Sequence, residues 1–162
     1  MTLAKNQQEL DKIRAQCQSL VTRRSLMSAG AAVVPIPGVD LGTDVAILMK
    51  LIPTINEKFG LSPEQIEQLS PDVKKMVVVG GASMSLGLIG KTLTTQRVIG
   101  MLQRFGTKRL ATKALSKYIP FAGSAVAAGI SYYILRKVGR SHIDECYAIA
   151  LKAITPTSVT QS

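Results

Sequence analysis

Val33 to Ile52, VVPIPGVDLGTDVAILMKLI, and Tyr118 to Val138, YIPFAGSAVAAGISYYILRKV, share one design: an Ile-Pro step, a glycine, then small residues grading into a bulky apolar helix that ends at a cation. Proline removes a backbone donor and clashes with the turn before it, and glycine supplies the freedom for a reversal. Each stretch therefore reads as a Pro/Gly-broken apolar helical hairpin that needs apolar surroundings, its own core or a bilayer. Pro35, Pro37 and Gly38 make the first turn, with Asp40 placed to cap the helix that follows. Pro120 and Gly123 make the second.

Outward from these stretches nearly everything reads as helix. Thr2 can cap a first amphipathic helix whose apolar positions Leu3, Leu10, Ile13, Cys17 and Leu20 leave one side of Leu3 to Val21 in need of a partner. A small-residue run from Ser25 to Val34 leads into the first turn. The next helix should run from about Leu41 to Phe59, kinked or ended early by Pro53 and stopped by Gly60. Ser62, Pro63 and Gln65 form a capping box opening a short helix to Leu69, and Ser70 with Pro71 repeats the device. The helix opened by Pro71 should run through the uncharged stretch Met76 to Gly90. There Gly80, Gly81, Ser83 and Gly87 let helix backbones approach closely, Ser83 and Gly87 at small-xxx-small spacing. Tyr118 to Leu135 is uncharged and near the length of a membrane span, but Pro120 and Gly123 shorten it to a buried hairpin or re-entrant segment. The expected fold is an all-α compact helical bundle with two broken hairpins. It divides into an N-terminal amphipathic helix at 1–24, a helical hairpin domain at 25–154 and a disordered polar tail at 155–162.

The chain has 162 residues, 46% of them hydrophobic, and a mean hydropathy of +0.22, enough to bury a core. Aromatic residues are only 4% and tryptophan is absent, which counts against base-stacking nucleic-acid modules and against spans with aromatic belts. The formal charge of +10 is unevenly placed. Acids and bases nearly balance from Met1 to Asp72, whereas Val73 to His142 contains 12 Lys or Arg and no acid. Such a stretch suggests a surface that faces phosphates. Arg97, Arg104 and Lys108 share a helical stripe beside Val98, Met101, Leu102 and Phe105, the pattern of a basic interfacial helix or of a helix covering a core. With Arg109, Lys113 and Lys117 they are the expected contacts for anionic headgroups.

Five other features do not add up to chemistry. Ser85 to Thr92 misses a phosphate-binding loop by one residue, with serine where the first glycine must let backbone N–H groups cradle phosphate. TRRSLM at Thr22 to Met27 echoes an export signal, but Pro35, Pro37 and Asp40 interrupt the apolar core that should follow. Asp40 and Asp44 stand one turn apart at a helix start, where they complement its dipole. His142 is the single histidine and reads as a surface or capping residue, and Cys17 and Cys146 lack metal or disulfide spacing and read as buried thiols. No catalytic residue, cofactor or metal is expected.

Ala31 to Gly60 (AAVVPIPGVDLGTDVAILMKLIPTINEKFG) resembles the helical domain of unknown function found after Era-like GTPase domains in YcjF-type bacterial membrane proteins. Ile119 to Gly139 resembles a later segment of that domain and, more loosely, the helical C-terminal region of immunity-related GTPases. The most specific pieces are the PIPG-x-D step at Pro35 to Asp40 and the Pro-x-x-Gly at Pro120 to Gly123. The resemblance implies an all-helical, membrane-associated protein on the cytoplasmic face of the bacterial inner membrane. It lacks a GTPase domain here, so a GTPase becomes an expected partner rather than an activity.

The expectation is thus a non-enzymatic, membrane-associated helical module that binds anionic membrane and a protein partner, such as a GTPase or a further copy of itself. One alternative is a membrane-active effector or toxin inserting from a soluble state. Another is a soluble basic bundle binding nucleic acid, which the scarcity of aromatics disfavours.

Overall fold

The computed structural model describes residues 3–32, 39–84, 86–89, 93–102 and 120–155, with only the backbone described at 31–32, 39–42 and 120–127. They form an all-α bundle: α1 (Gln7–Ala32), α2 (Val39–Phe59), α3 (Pro63–Glu67), α4 (Pro71–Ala82), α5 (helical at 95–102) and α6 (Pro120–Ile154). Its framework is three long helices. Tyr147 meets Asp11, Asp144 meets Arg14 and Gly139 meets Val21, so α1 and α6 run antiparallel. Asp44 meets Ser131 and Asn56 meets His142, so α2 runs parallel to α6 and antiparallel to α1.

Each long helix presents one stripe to the shared core. Leu10, Ile13, Cys17 and Val21 do so from α1, and Leu48, Leu51, Ile52, Ile55 and Phe59 from α2. Ile134, Leu135, Val138, Ile143, Cys146 and Ile149 complete the layer from α6. Truncating any one of the large side chains to alanine costs about 2–5 kcal/mol, because close-packed neighbours collapse only partly into the space left. The α1 stripe thus finds its partner inside the molecule. α1 begins at Gln7, where Asn6 Oδ1 accepts from the Glu9 N–H at 2.9 Å, rather than near Thr2. It then runs unbroken across 24/25 to Ala32, taking in the small-residue run.

The expected stop at Gly60 is present. Gly60 has φ 73°, its N–H donates to the Glu57 carbonyl at 3.1 Å, and the Leu61 N–H reaches back to the Asn56 carbonyl at 2.8 Å. That double closure, with Leu61 buried beyond it, satisfies carbonyls the helix would otherwise leave open. Pro53 does not end α2, which continues to Phe59. The capping box is complete: Ser62 Oγ accepts from the Gln65 N–H and Gln65 Oε1 accepts from the Ser62 N–H. Ser70 makes no side-chain cap, so only Pro71 marks the start of α4.

Two expectations change. Gly123, expected in the second turn, lies inside a helix: α6, described from Pro120, includes it and extends 35 residues, about 50 Å at 1.5 Å per residue, and the residues before Pro120 lie outside the described ones. The helix expected through Gly90 instead stops at Ala82. Ser83 turns its hydroxyl back onto the Val79 carbonyl at 3.0 Å, and Gly87 takes φ 57°. Ser83 and Gly87 are therefore not neighbours on one helix, and their spacing forms no packing surface. The first turn residues Pro35, Pro37 and Gly38 lie outside the described residues, whereas the backbone at Asp40 is already helical, within α2.

Candidate functional site

Of the expected headgroup contacts, Arg97 is exposed on α5, and Arg104, Lys108, Arg109, Lys113 and Lys117 lie outside the described residues. Val98, Met101 and Leu102, the apolar side of that same stripe, are buried. The apolar face beside Arg97 thus covers the protein's own core. Other cations of the acid-free stretch reach solvent from elsewhere: Lys75 on α4 and Lys137 and Arg140 on α6 are exposed. Lys74 pairs with Glu67, and Arg136 donates to the Tyr132 hydroxyl at 2.6 Å.

Of the expected packing residues, Gly80 and Gly81 lie on α4. A Cβ on Gly80 would stand 2.6 Å from Ile149 Cδ1 of α6, and one on Gly81 would stand 3.1 Å from Ile89 Cβ. Hydrogen at these positions is what brings α4 down onto α6 and the 86–89 segment.

Two buried polar clusters were not anticipated from the sequence. In the first, Asn56 of α2 meets His142 and Cys146 of α6. His142 Nε2 lies 2.8 Å from Asn56 Oδ1, and Asn56 Nδ2 donates to the Leu88 carbonyl at 3.3 Å. One turn along, Glu145 Oε1 accepts from the Leu86 N–H at 3.0 Å, so the 86–89 segment is strapped to both helices. His142 is 0% exposed, not a surface or capping residue.

A thiol, an imidazole and an amide in contact suggest a nucleophile relay, but their contacts here are not arranged as one. Cys146 Sγ is 3.5 Å from His142 Nε2, the nitrogen whose proton goes to Asn56 Oδ1. A relay needs the amide to hold one ring nitrogen while the other, unprotonated, receives the thiol proton. Here both partners crowd the same nitrogen, and the buried Nδ1 has no hydrogen-bond partner among the described residues. Burial pushes His142 down to about 4 and the Cys146 thiol well above its ordinary value, so both are neutral near pH 7.

In the second cluster, Asp44 of α2 is 0% exposed and receives the hydroxyls of Ser28 from α1 and of Ser131 from α6, the latter at 3.2 Å. Asp44 thus ties all three long helices together instead of merely complementing a helix dipole. The signal for both clusters was a polar residue on an otherwise apolar stripe: His142 between Val138 and Cys146, and Asp44 one turn before Leu48.

Beside α2 an open cleft of about 580 Å³ is lined by Met49, Ile52, Pro53, Glu57, Glu64 and Leu93, among others. Its amide groups are already engaged: Gln65 Nε2 donates to the Glu57 carbonyl at 3.1 Å, and Asn56 is held in the buried cluster.

Among the described residues no helix is long and apolar enough to cross a membrane, and no group of three or more His, Cys, Asp or Glu could hold a metal ion. No protein-family model, curated protein or solved structure matches the chain. Fold and surface together define an all-α bundle with two buried polar clusters in its core and an uneven distribution of charge.

Proposed function

We propose that this chain is a non-enzymatic, membrane-associated helical module that holds an anionic membrane surface and binds a protein partner, a GTPase or a further copy of itself. The reading places it on the cytoplasmic face of a bacterial inner membrane. The observation that carries it is the charge partition: 12 Lys or Arg and no acid between Val73 and His142. Each cation near an anionic leaflet contributes about 1 kcal/mol, so a few acting together suffice for reversible attachment. Exposure of Lys75, Arg97, Lys137 and Arg140 supports this, as does the resemblance of Ala31 to Gly60 to a domain of membrane proteins.

The test is sedimentation of the full chain with vesicles of phosphatidylcholine alone or mixed with phosphatidylglycerol. Binding should require the anionic lipid and weaken with salt. Replacing Lys108, Arg109 and Lys113 together by Glu should lower partitioning at least tenfold, as expected for reversing several charges of about 1 kcal/mol each. Equal binding by the triple variant would remove the headgroup role. Salt-sensitive DNA or RNA binding without vesicle binding would favour the nucleic-acid reading instead.

A further inference from the structure

A second acid-free stretch, Lys12 to Val39, contains Arg23 and Arg24 and makes up most of α1. Folding lays it beside the first. Contacts of Asp11 with Tyr147, Arg14 with Asp144 and Val21 with Gly139 fix the antiparallel register of α1 and α6. Continued along two unbroken helices, that register sets Arg23 level with Lys137 and Leu26 level with Tyr133. Beyond the Arg14–Asp144 pair, this end of the seam gathers Arg23 and Arg24 from α1 with Arg136, Lys137 and Arg140 from α6, and neither helix adds an acid. Tyr133, Lys137 and Arg140, at i, i+4 and i+7, share one stripe with Asp144, the residue that crosses to Arg14, so they border the seam. Arg23, Lys137 and Arg140 are exposed. Leu26 at 58%, Met27 at 59% and Tyr133 at 61% are the large apolar side chains left in solvent at the same end.

Resting on the membrane reading above, we infer that this end of the α1–α6 pair is the surface that lies on an anionic bilayer: Arg23, Lys137 and Arg140 meet the phosphates, and Leu26, Met27 and Tyr133 enter the headgroup layer. The nearby carboxylates do not oppose it. Asp144 is paired with Arg14 at 2.6 Å, and Asp11, a turn further off, accepts the Tyr147 hydroxyl. Asp44 is 0% exposed between the helices, and Glu145 is buried against the Leu86 N–H. Asp40 stands in the first turn of α2, which the Ser28–Asp44 contact sets level with Ala32 rather than with the cations. The exposed valines of α4, Val78 and Val79, have no such setting, since Asp72 lies in the first turn of their helix and Glu67 just before it. A bilayer fits better than a nucleic acid because both would use the cations and the tyrosine, but only an apolar layer gains from Leu26 and Met27. Shallow insertion of apolar side chains beside cations is how interfacial helices bind without spanning.

The experiment sediments the full chain with phosphatidylcholine vesicles containing phosphatidylglycerol. Arg23→Glu/Arg140→Glu should lower partitioning at least tenfold, and Arg23→Gln/Arg140→Gln, which removes charge without reversing it, by a smaller factor. Lys50→Glu/Lys152→Glu makes the same change of charge at exposed positions away from this end and should bind within about threefold of the wild type, because salt screens charges more than about 10 Å from the surface. Leu26→Gln/Tyr133→Gln should also lose several-fold, by a factor that added salt does not diminish, since apolar contact is not screened. All these side chains are in solvent, so the melting temperatures should match. If the wild type binds and either the Arg23/Arg140 or the Leu26/Tyr133 variant binds equally, this face is overturned while the membrane reading stands. If the wild type ignores anionic vesicles, both fall. DNA or RNA binding that the Arg23/Arg140 variant abolishes, without vesicle binding, would assign the face to nucleic acid and overturn the inference.

Discussion

Gly139 of α6 lies against Val21 of α1 so closely that a Cβ at position 139 would stand 2.7 Å from both γ carbons of the valine and 3.3 Å from its Cβ. No rotamer of a β-branched side chain clears a neighbour that meets both its branches, so the helices must separate if the glycine acquires a methyl. This approach sets the spacing of the main helix pair.

Gly139→Ala should therefore destabilise the fold by about 1–3 kcal/mol, the usual cost of overpacking, despite the better helix propensity of alanine. Gly129→Ala, on the same helix with nothing within 4 Å of the new methyl, should stabilise by up to about 1 kcal/mol. Urea unfolding of the two variants measures both, and equal effects would show that the close approach does not govern the pair.

Removing the carboxylate that joins three helices should be more damaging. Asp44→Ala leaves the buried hydroxyls of Ser28 and Ser131 without their acceptor, and should cost about 2–4 kcal/mol. The double change Ser28→Ala/Ser131→Ala strips a buried carboxylate of two donors and should cost as much or more. A stability loss under about 0.5 kcal/mol in either variant, read from thermal or urea melts, would contradict the clamp.

His142 gives the pH dependence a definite sign. Burial holds the folded imidazole neutral down to about 4, whereas the unfolded one binds a proton near 6.5. The unfolded state then binds more protons between those values, so the contribution is complete above pH 6.5 and is lost as pH falls towards 4. The slope approaches about 1.4 kcal/mol per pH unit and the whole window amounts to about 3 kcal/mol. His142→Gln should show the shallower fall left by the carboxylates alone, and parallel stability curves for the two proteins would refute the assignment.

The thiols should be silent in the native state. Burial raises Cys17 to about 11, against a smaller opposing effect of Lys58, and raises Cys146 well above its ordinary value, with both side chains 0% exposed. Since the thiolate is the reactive form, neutral iodoacetamide should label neither residue in the folded protein at pH 7.5 and both in denaturant. Rapid native labelling, located by peptide mass spectrometry, would show that the α1–α6 layer opens.

How far the sequence could be read depended on the range of the interaction involved. The capping box at Ser62 to Gln65 and the stop at Gly60 were legible, because a cap is decided by residues three to five positions apart whose chemistry is visible in a line of text. The apolar stripe of α1 was legible as a surface needing cover, but not its partner. The buried cluster of Asn56, His142 and Cys146 was missed because a single histidine on a helix looks the same whether it faces water or α2. The exposed valines of α4 were hidden inside an uncharged run that gave no sign of which side would be covered.

By itself, then, the sequence determined an all-α protein with its bases crowded into an acid-free stretch, since periodicity and charge are properties of the chain. The tertiary structure decided that Gly123 lies inside a helix, that α4 ends at Ala82, and that Asp44 and His142 are interior. The physical reason is shared by all three. Whether a glycine interrupts a helix, how far an uncharged run stays helical and which polar groups are buried depend on the space and hydrogen-bond partners that distant helices provide, and these exist only once α1, α2 and α6 have packed together.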